Sequence, residues 1–267
     1  MQALNKLMDM SGQRVLITGA AGGLGRVISE TAAELGAHLV LVDRPGTDFS
    51  SLRASLARFP DAVIDVMACD LEQQEARDEL VREVLAKRGD LRVLVNNAAF
   101  VGTSGLQGWG VPFEAQSVDT WRRALEVNLT AVFDLCKQFA EPLAQSGKGA
   151  IVNVGSIYGS LGPNWGLYDG TPMANPAAYA ASKGGVIQLS RWLATTMAPR
   201  VRVNCISPGG IARGQPEAFV ARYEALTPLG RMATEDDFRG AFAYLISDLS
   251  GYVTGQNLMV DGGWGVW

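Results

Sequence analysis

The chain has 267 residues, 48% of them hydrophobic, and 23 Lys and Arg stand against 27 Asp and Glu for a formal net charge of −4. That length suits one large core, and the mildly acidic balance argues against nucleic acid or an anionic membrane as the main partner, since both reward clustered cations. A single histidine (His38) and three scattered cysteines (Cys69, Cys136 and Cys205) offer no zinc ligand set, no disulfide framework and no Ser-His-Asp triad that does without His38.

In chain order, residues 1–6 are not followed by the apolar block of a secretory signal. No apolar run approaches the roughly 20 residues of a membrane span. The expectation is a cytoplasmic protein with reduced thiols. Short apolar runs at 14–18, 38–42, 62–68, 93–96, 150–154, 202–206 and 257–260 read as strands. Segments of helical period at 23–35, 72–87, 118–144, 177–198 and 235–245 lie between them. Strands alternating with helices predict βαβ units and a mainly parallel sheet covered on both faces. Near-continuous Val, Ile and Leu in the strands fits burial on both sides.

Two stretches, 101–116 and 157–176, interrupt the alternation; with 211–231, of which 213–231 is read as mobile, they are the candidate substrate loops. In an open α/β sheet such loops at the carboxyl ends of strands build the ligand site. They carry Trp109, Trp165, Tyr168, Asp169, Asn175, Arg213, Gln215 and Tyr223, a mixture of aromatic faces and polar groups. That mixture suits a polyhydroxylated ring better than a fatty chain. Trp165, Tyr168 and Arg213 are taken as the substrate candidates.

After the first strand comes Thr18-Gly19-Ala20-Ala21-Gly22-Gly23-Leu24-Gly25, which opens the first long helix. Glycines there let the backbone turn tightly and approach a pyrophosphate seated on the free amides of the helix. The spacing departs from GxGxxG, so the strand–loop–helix context carries the assignment. Asp43 ends the second strand, 18 residues beyond Gly25. A carboxylate there can accept both hydroxyls of an adenine ribose and repel a 2′-phosphate, favouring NAD over NADP. Arg44 beside it works the other way, because an arginine can accommodate that phosphate. Asp43 could also serve only the turn that continues through Arg44-Pro45-Gly46.

Tyr179 and Lys183 sit one helical turn apart on a shared face. A lysine cation near a phenol favours the phenolate and brings the hydroxyl towards working pH, where it can donate and accept a proton.

With these motifs in place, nearly the whole chain resembles the short-chain dehydrogenase/reductase family. Residues 18–25 resemble its cofactor loop and Asp43 its NAD-selecting acid. Asp70, with Leu71, is similar to the residue that meets the adenine. Asn96-Asn97-Ala98-Ala99 resembles the Asn-Asn-Ala-Gly segment, with Ala99 replacing the glycine. Asn128, Ser156, Tyr179 and Lys183 match the four catalytic positions. Pro208-Gly209-Gly210-Ile211 matches the turn that holds the nicotinamide carboxamide.

The resemblance implies a single-domain, Rossmann-like, doubly wound parallel sheet of about seven strands, and no metal. It implies hydride transfer between a nicotinamide and a carbinol or carbonyl carbon. Tyr179 would exchange the proton and Ser156 would bind the substrate oxygen. Lys183 would lower the tyrosine pKa and hold the nicotinamide ribose, and Asn128 would position a water. Dimers or tetramers are the expected assemblies, with the aromatic tail 261–267 reaching a neighbouring subunit.

Two further departures stand out. Ser156 and Tyr179 are 23 residues apart, longer than is usual, so much of 157–176 looks inserted. The threonine expected after Pro208–Ile211 is missing, and Ala212-Arg213-Gly214 follows instead. The insertion and the tail are similar to those of bacterial surface-sugar and nonulosonic-acid dehydrogenases, which places a sugar, polyol or sugar derivative first. The alternatives are a 3-oxoacyl-thioester reductase, a catalytically silent NAD(H)-binding regulator and an interaction subunit built on the broad apolar helices.

Overall fold

The computed structural model describes residues 3–100 and 106–267. In chain order the α-helices are α1 Leu4–Met8, α2 Gly23–Glu34, α3 Ser50–Leu56, α4 Gln74–Lys87, α5 Val118–Leu125, α6 Ala131–Gln138, α7 Ala140–Gln145, α8 Ala177–Met197, α9 Glu217–Leu226 and α10 Arg239–Ile246. The strands are β1 Arg14–Thr18, β2 His38–Asp43, β3 Ile64–Ala68, β4 Val93–Asn96, β5 Gly149–Val154, β6 Val201–Pro208 and β7 Asn257–Val260.

All seven strands are parallel, in the order β3-β2-β1-β4-β5-β6-β7. Successive side chains of a strand point to opposite faces, and the core divides accordingly. Leu16, Val40, Leu94, Ile151 and Val203 pack with α4, α6 and α8. Val15, Ile17, Leu39, Leu41, Val93 and Val152 pack with α2, α3 and α10. The doubly wound parallel sheet expected of the sequence is therefore present, and each predicted strand lies within two residues of an observed one. The order reverses between β1 and β4, which opens a crevice at their carboxyl ends.

The helices differ more. The segment 118–144, expected as one helix, is three. A π-turn at Glu126–Thr130 separates α5 from α6, and Phe139 leaves the helical region before α7. The segment expected at 235–245 begins with a 3₁₀ turn, Glu235–Phe238, before α10. Within 213–231, expected to be mobile, α9 buries Phe219 and Tyr223 one turn apart. No helix among the described residues is long and apolar enough to cross a membrane.

Candidate active site

The glycine loop after β1 is shaped by close backbone approach. Gly19 has φ +64°. A Cβ on it would lie 2.8 Å from Ala98 Cα, and one on Gly25 would lie 2.0 Å from the Gly19 oxygen. Neither position accommodates a side chain. The loop is stitched to the segment after β4: Asn97 Nδ2 donates to the carbonyls of Thr18 (2.9 Å) and Gly19 (3.0 Å). Thr18 Oγ1 in turn accepts from the amides of Asn97 and Ala98. Sequence reasoning passed over the role of the Thr18 hydroxyl. A threonine ending a buried strand carries no signal until its partner strand is known.

A cleft of about 530 Å³ opens here, over the β1–β4 switch point. Its wall includes Gly19, Gly22, Gly23, Leu24 and Gly25 at the loop, and Asp43 and Arg44 at the end of β2. Asp70 and Leu71 after β3, with Asn97 and Ala98 after β4, complete it. The helix α2 presents its first amides to this space from Gly22, with no acidic residue in its first turn. Asp43 faces the cleft with its carboxylate fixed: Oδ2 accepts from Ala21 N (3.0 Å), and Oδ1 from Arg44 N (2.8 Å) and Thr47 Oγ1 (3.4 Å). A side-chain-free cradle, exposed helix amides and an oriented carboxylate fit a dinucleotide.

The four catalytic candidates converge on the first turns of α8, which carry two of them, the others coming from the end of β5 and from the π-turn. Ser156 follows β5; its Oγ accepts from Tyr158 N at 3.2 Å, and its hydroxyl is the chief group opposing the upward shift of the Tyr179 pKa. Tyr179 lies in the first turn of α8, where Gln116 Oε1 caps the helix by accepting from Ala177 N. Its ring packs in a small cluster with Trp109, Ala124 and Ala178. Of the loop 101–116, residues 101–105 lie outside the described residues.

Lys183 is buried, and its Nζ donates to Val154 O at 2.7 Å and stands 5.7 Å from the Tyr179 ring centroid. Asn128 is carried inward by the π-turn. Its Oδ1 accepts from Phe100 N (2.6 Å) and its Nδ2 donates to Ser182 Oγ (3.0 Å), which itself donates to Tyr179 O. Each end of the Asn128 amide thus has a protein partner, and together they brace the turn that carries Tyr179.

The electrostatics correct one expectation. Tyr179 is not lowered: burial pushes its hydroxyl above the usual tyrosine value, opposed chiefly by the Ser156 hydroxyl and then by the Arg213 charge. Burial likewise pushes Lys183 down to about 8. Removal from water favours the neutral form of both groups, and the lysine's short bond goes to a carbonyl on the sheet.

Pro208, Gly209 and Ile211 lie at or just beyond the end of β6, on the same side of the sheet as Ser156. They do not line the large cleft. Gly210 N donates to the Tyr223 hydroxyl at 2.6 Å, and a Cβ on Gly210 would lie 2.7 Å from that ring.

An aromatic ladder runs from the inserted loop to the tail. Trp165 meets Tyr168 (5.8 Å), Tyr168 meets Phe219 (5.4 Å), Phe219 meets Tyr223 (6.0 Å), and Tyr223 stacks on Trp264 (5.6 Å). The Tyr158 and Tyr168 hydroxyls are 2.7 Å apart. Arg222 of α9 donates to the carbonyls of Leu167 and Asp169. The tail folds against its own chain, with Trp267 Nε1 donating to Leu226 O. Arg213 does not join Trp165 and Tyr168. It lies on the cofactor side, lining the large cleft.

Residues 19–265 match a family model described as enoyl-(acyl carrier protein) reductase. The chain belongs to the short-chain dehydrogenase/reductase family. It is 33% identical to galactitol 2-dehydrogenase (L-tagatose-forming) of Cereibacter sphaeroides, over 97% of each chain. It is 32% identical to a 3-oxoacyl-[acyl-carrier-protein] reductase of Thermotoga maritima, over 96% of this chain and 99% of that one. Among solved structures, a short-chain dehydrogenase from Leptospira borgpetersenii with bound NAD+ superposes with a TM-score of 0.83 at 31% identity, over 99% and 96% of the two chains. As a member of this family the chain is an oxidoreductase that uses a nicotinamide cofactor.

Proposed function

We propose that the protein is an NAD-dependent dehydrogenase that interconverts a secondary alcohol and a ketone on a sugar, polyol or sugar derivative. The observation that carries the reading is the meeting of two features. One is a glycine cradle closed by the Asp43 carboxylate. The other is the placing of a phenol, Tyr179, one helical turn before the buried Lys183, with Ser156 at the end of the neighbouring strand acting on its pKa.

Glycines 19, 22, 23 and 25 with Leu24 would hold the dinucleotide's phosphates, and Asp43 its adenine ribose. Asp70, Leu71, Asn97 and Ala98 would line the adenosine half, and Pro208, Gly209 and Ile211 the nicotinamide end. When bound, that group accepts or supplies the hydride. Ser156 Oγ accepts from the Tyr158 amide, and its hydroxyl proton would turn to the substrate oxygen when one is bound. Tyr179, resting as a phenol, donates its proton to that oxygen in reduction; in oxidation it must first lose that proton to solvent, and the phenolate then takes the alcohol's proton. Lys183 and Asn128 hold the tyrosine's turn and strand in place. Oriented donors of this kind stabilise the charge that develops on the oxygen as the hydride moves.

The preference for NAD rests on Asp43, whose carboxylate would repel a 2′-phosphate. The sugar reading rests on the paired Tyr158 and Tyr168 hydroxyls and on the likeness to the galactitol enzyme. A 3-oxoacyl-thioester reductase is the second reading, favoured by the likeness to the Thermotoga protein. Initial rates with a polyol and sugar panel plus NAD+, set against acetoacetyl thioester plus NADPH, separate the two. Faster turnover of the thioester with NADPH would replace the first reading by the second.

A further inference from the structure

Three arginines line the cofactor cleft. Arg44 follows Asp43 at the end of β2. Arg123 is occupied by Glu72, to which its Nε and Nη2 donate at 2.6 and 3.0 Å. Arg213 is different in its position, because it reaches back from the segment after β6 to the glycine loop after β1. A Cβ built on Gly23 would lie 3.2 Å from Arg213 Nη2 and 2.7 Å from Glu235 Oε1. The guanidinium and a carboxylate therefore sit together against the first residue of α2. Arg213 Nε donates to Glu235 Oε1 at 2.9 Å, and its side chain is 48% exposed, so donors remain for a second acceptor.

The backbone around this arginine is fixed. Arg213 N donates to Gln215 Oε1 (2.7 Å), and Gln215 Nε2 donates to Ile211 O (2.7 Å). Glu235 begins a 3₁₀ turn closed by a Thr234–Asp237 capping box, so the carboxylate too is held from a stable base. A bare carboxylate beside the amides of α2 would repel an incoming phosphate. Arg213 neutralises it, and a guanidinium fork suits a diphosphate as well as it suits a carboxylate.

Resting on the nicotinamide-cofactor reading, we infer that Arg213 is a ligand of the dinucleotide's diphosphate. Glu235 is the counter-ion that holds the guanidinium at the loop until the phosphates replace it. The charge of Arg213 thus stands where the missing threonine would supply only a hydroxyl.

The test is calorimetric titration of the whole protein with NADH, ADP-ribose and adenosine, for wild type, R213Q and E235Q, at low and high salt. Wild type binding NADH, with R213Q weakening NADH and ADP-ribose by about tenfold or more and leaving adenosine unchanged, supports the inference. A shallower salt dependence in R213Q supports it further, because a screened charge has been removed. E235Q removes the competing acceptor, so it should bind NADH at least as tightly as wild type and lose none of the salt dependence. Unchanged NADH affinity in R213Q overturns the inference while leaving the cofactor reading intact, and so does an equal loss for adenosine. E235Q weakening NADH as much as R213Q overturns the exchange of partners. Wild type that binds neither NADH nor NADPH overturns both the inference and the reading beneath it.

Discussion

At the scale of single residues, burial shifts both Tyr179 and Lys183 towards their neutral forms. The tyrosine holds its proton above its ordinary range and the lysine gives its own up near pH 8. A phenol that keeps its proton is ready to donate, so ketone reduction should be the less pH-sensitive direction, and alcohol oxidation should speed up with rising pH. Y179F should lower turnover by at least about a hundredfold, the scale of a lost general acid–base group, while NADH still binds. Steady-state rates together with NADH titration check both halves.

Lys183 also leaves a mark on stability. Between about pH 8 and the unfolded lysine value of 10.5, the unfolded chain holds a proton that the folded chain has released. Stability contributed at this site therefore rises with pH through that window, by up to roughly 1.4 kcal/mol per pH unit. Urea midpoints at pH 7.5 and 9.5 should climb more for wild type than for K183M. The sequence told where this pair lies, because i and i+4 share a face in any helix. It could not tell the direction of the shifts, since those depend on burial that only the fold supplies.

At the scale of elements, the π-turn at Glu126–Thr130 shows how a helix is altered for a task. One wide turn in the 118–144 stretch swings Asn128 inward, and its amide ties the end of β4 to α8. Apolar periodicity does not reveal such a turn, because a single extra residue barely disturbs the pattern. The short helices α3 and α9 were missed for a related reason: two apolar residues one turn apart are too few to set a period. The long buried strands were legible because continuous Val, Ile and Leu leave little choice.

The same turn helps to anchor a buried ion network. Arg77, 2% exposed, donates to Asp134 Oδ2 (2.7 Å), Glu126 Oε1 (2.9 Å) and Leu71 O (2.6 Å), joining α4 to α6 and to the end of β3. D134A takes one charged partner from Arg77 and leaves it Glu126, so it should cost about 2 kcal/mol of unfolding free energy by urea denaturation. The glycine loop is an element of the opposite kind, defined by what it excludes. G25A would drive a methyl into the Gly19 carbonyl, and it should abolish NADH binding measured by titration.

At the scale of the whole molecule, the strand order decides where chemistry can occur. The β1–β4 reversal makes the cleft, and the parallel arrangement delivers the ends of β5 and β6 to the same edge of the sheet. Binding in that cleft bridges both halves, so it should raise the melting temperature. At a hundredfold excess over its dissociation constant, NADH should add about 2.7 kcal/mol of stability. If Asp43 takes the adenine ribose as proposed, NADPH at the same concentration should give a clearly smaller shift. A thermal-shift comparison reads this directly, and an equal or larger shift with NADPH would count against the selective role of Asp43.

The clamp between Arg222 and the carbonyls of Leu167 and Asp169, beside the Tyr168–Phe219 contact, has a practical consequence. The extra loop and helix α9 form one cassette. Anyone seeking to alter what this protein recognises should transplant the two together, since a foreign loop laid on the original helix would lose its mooring.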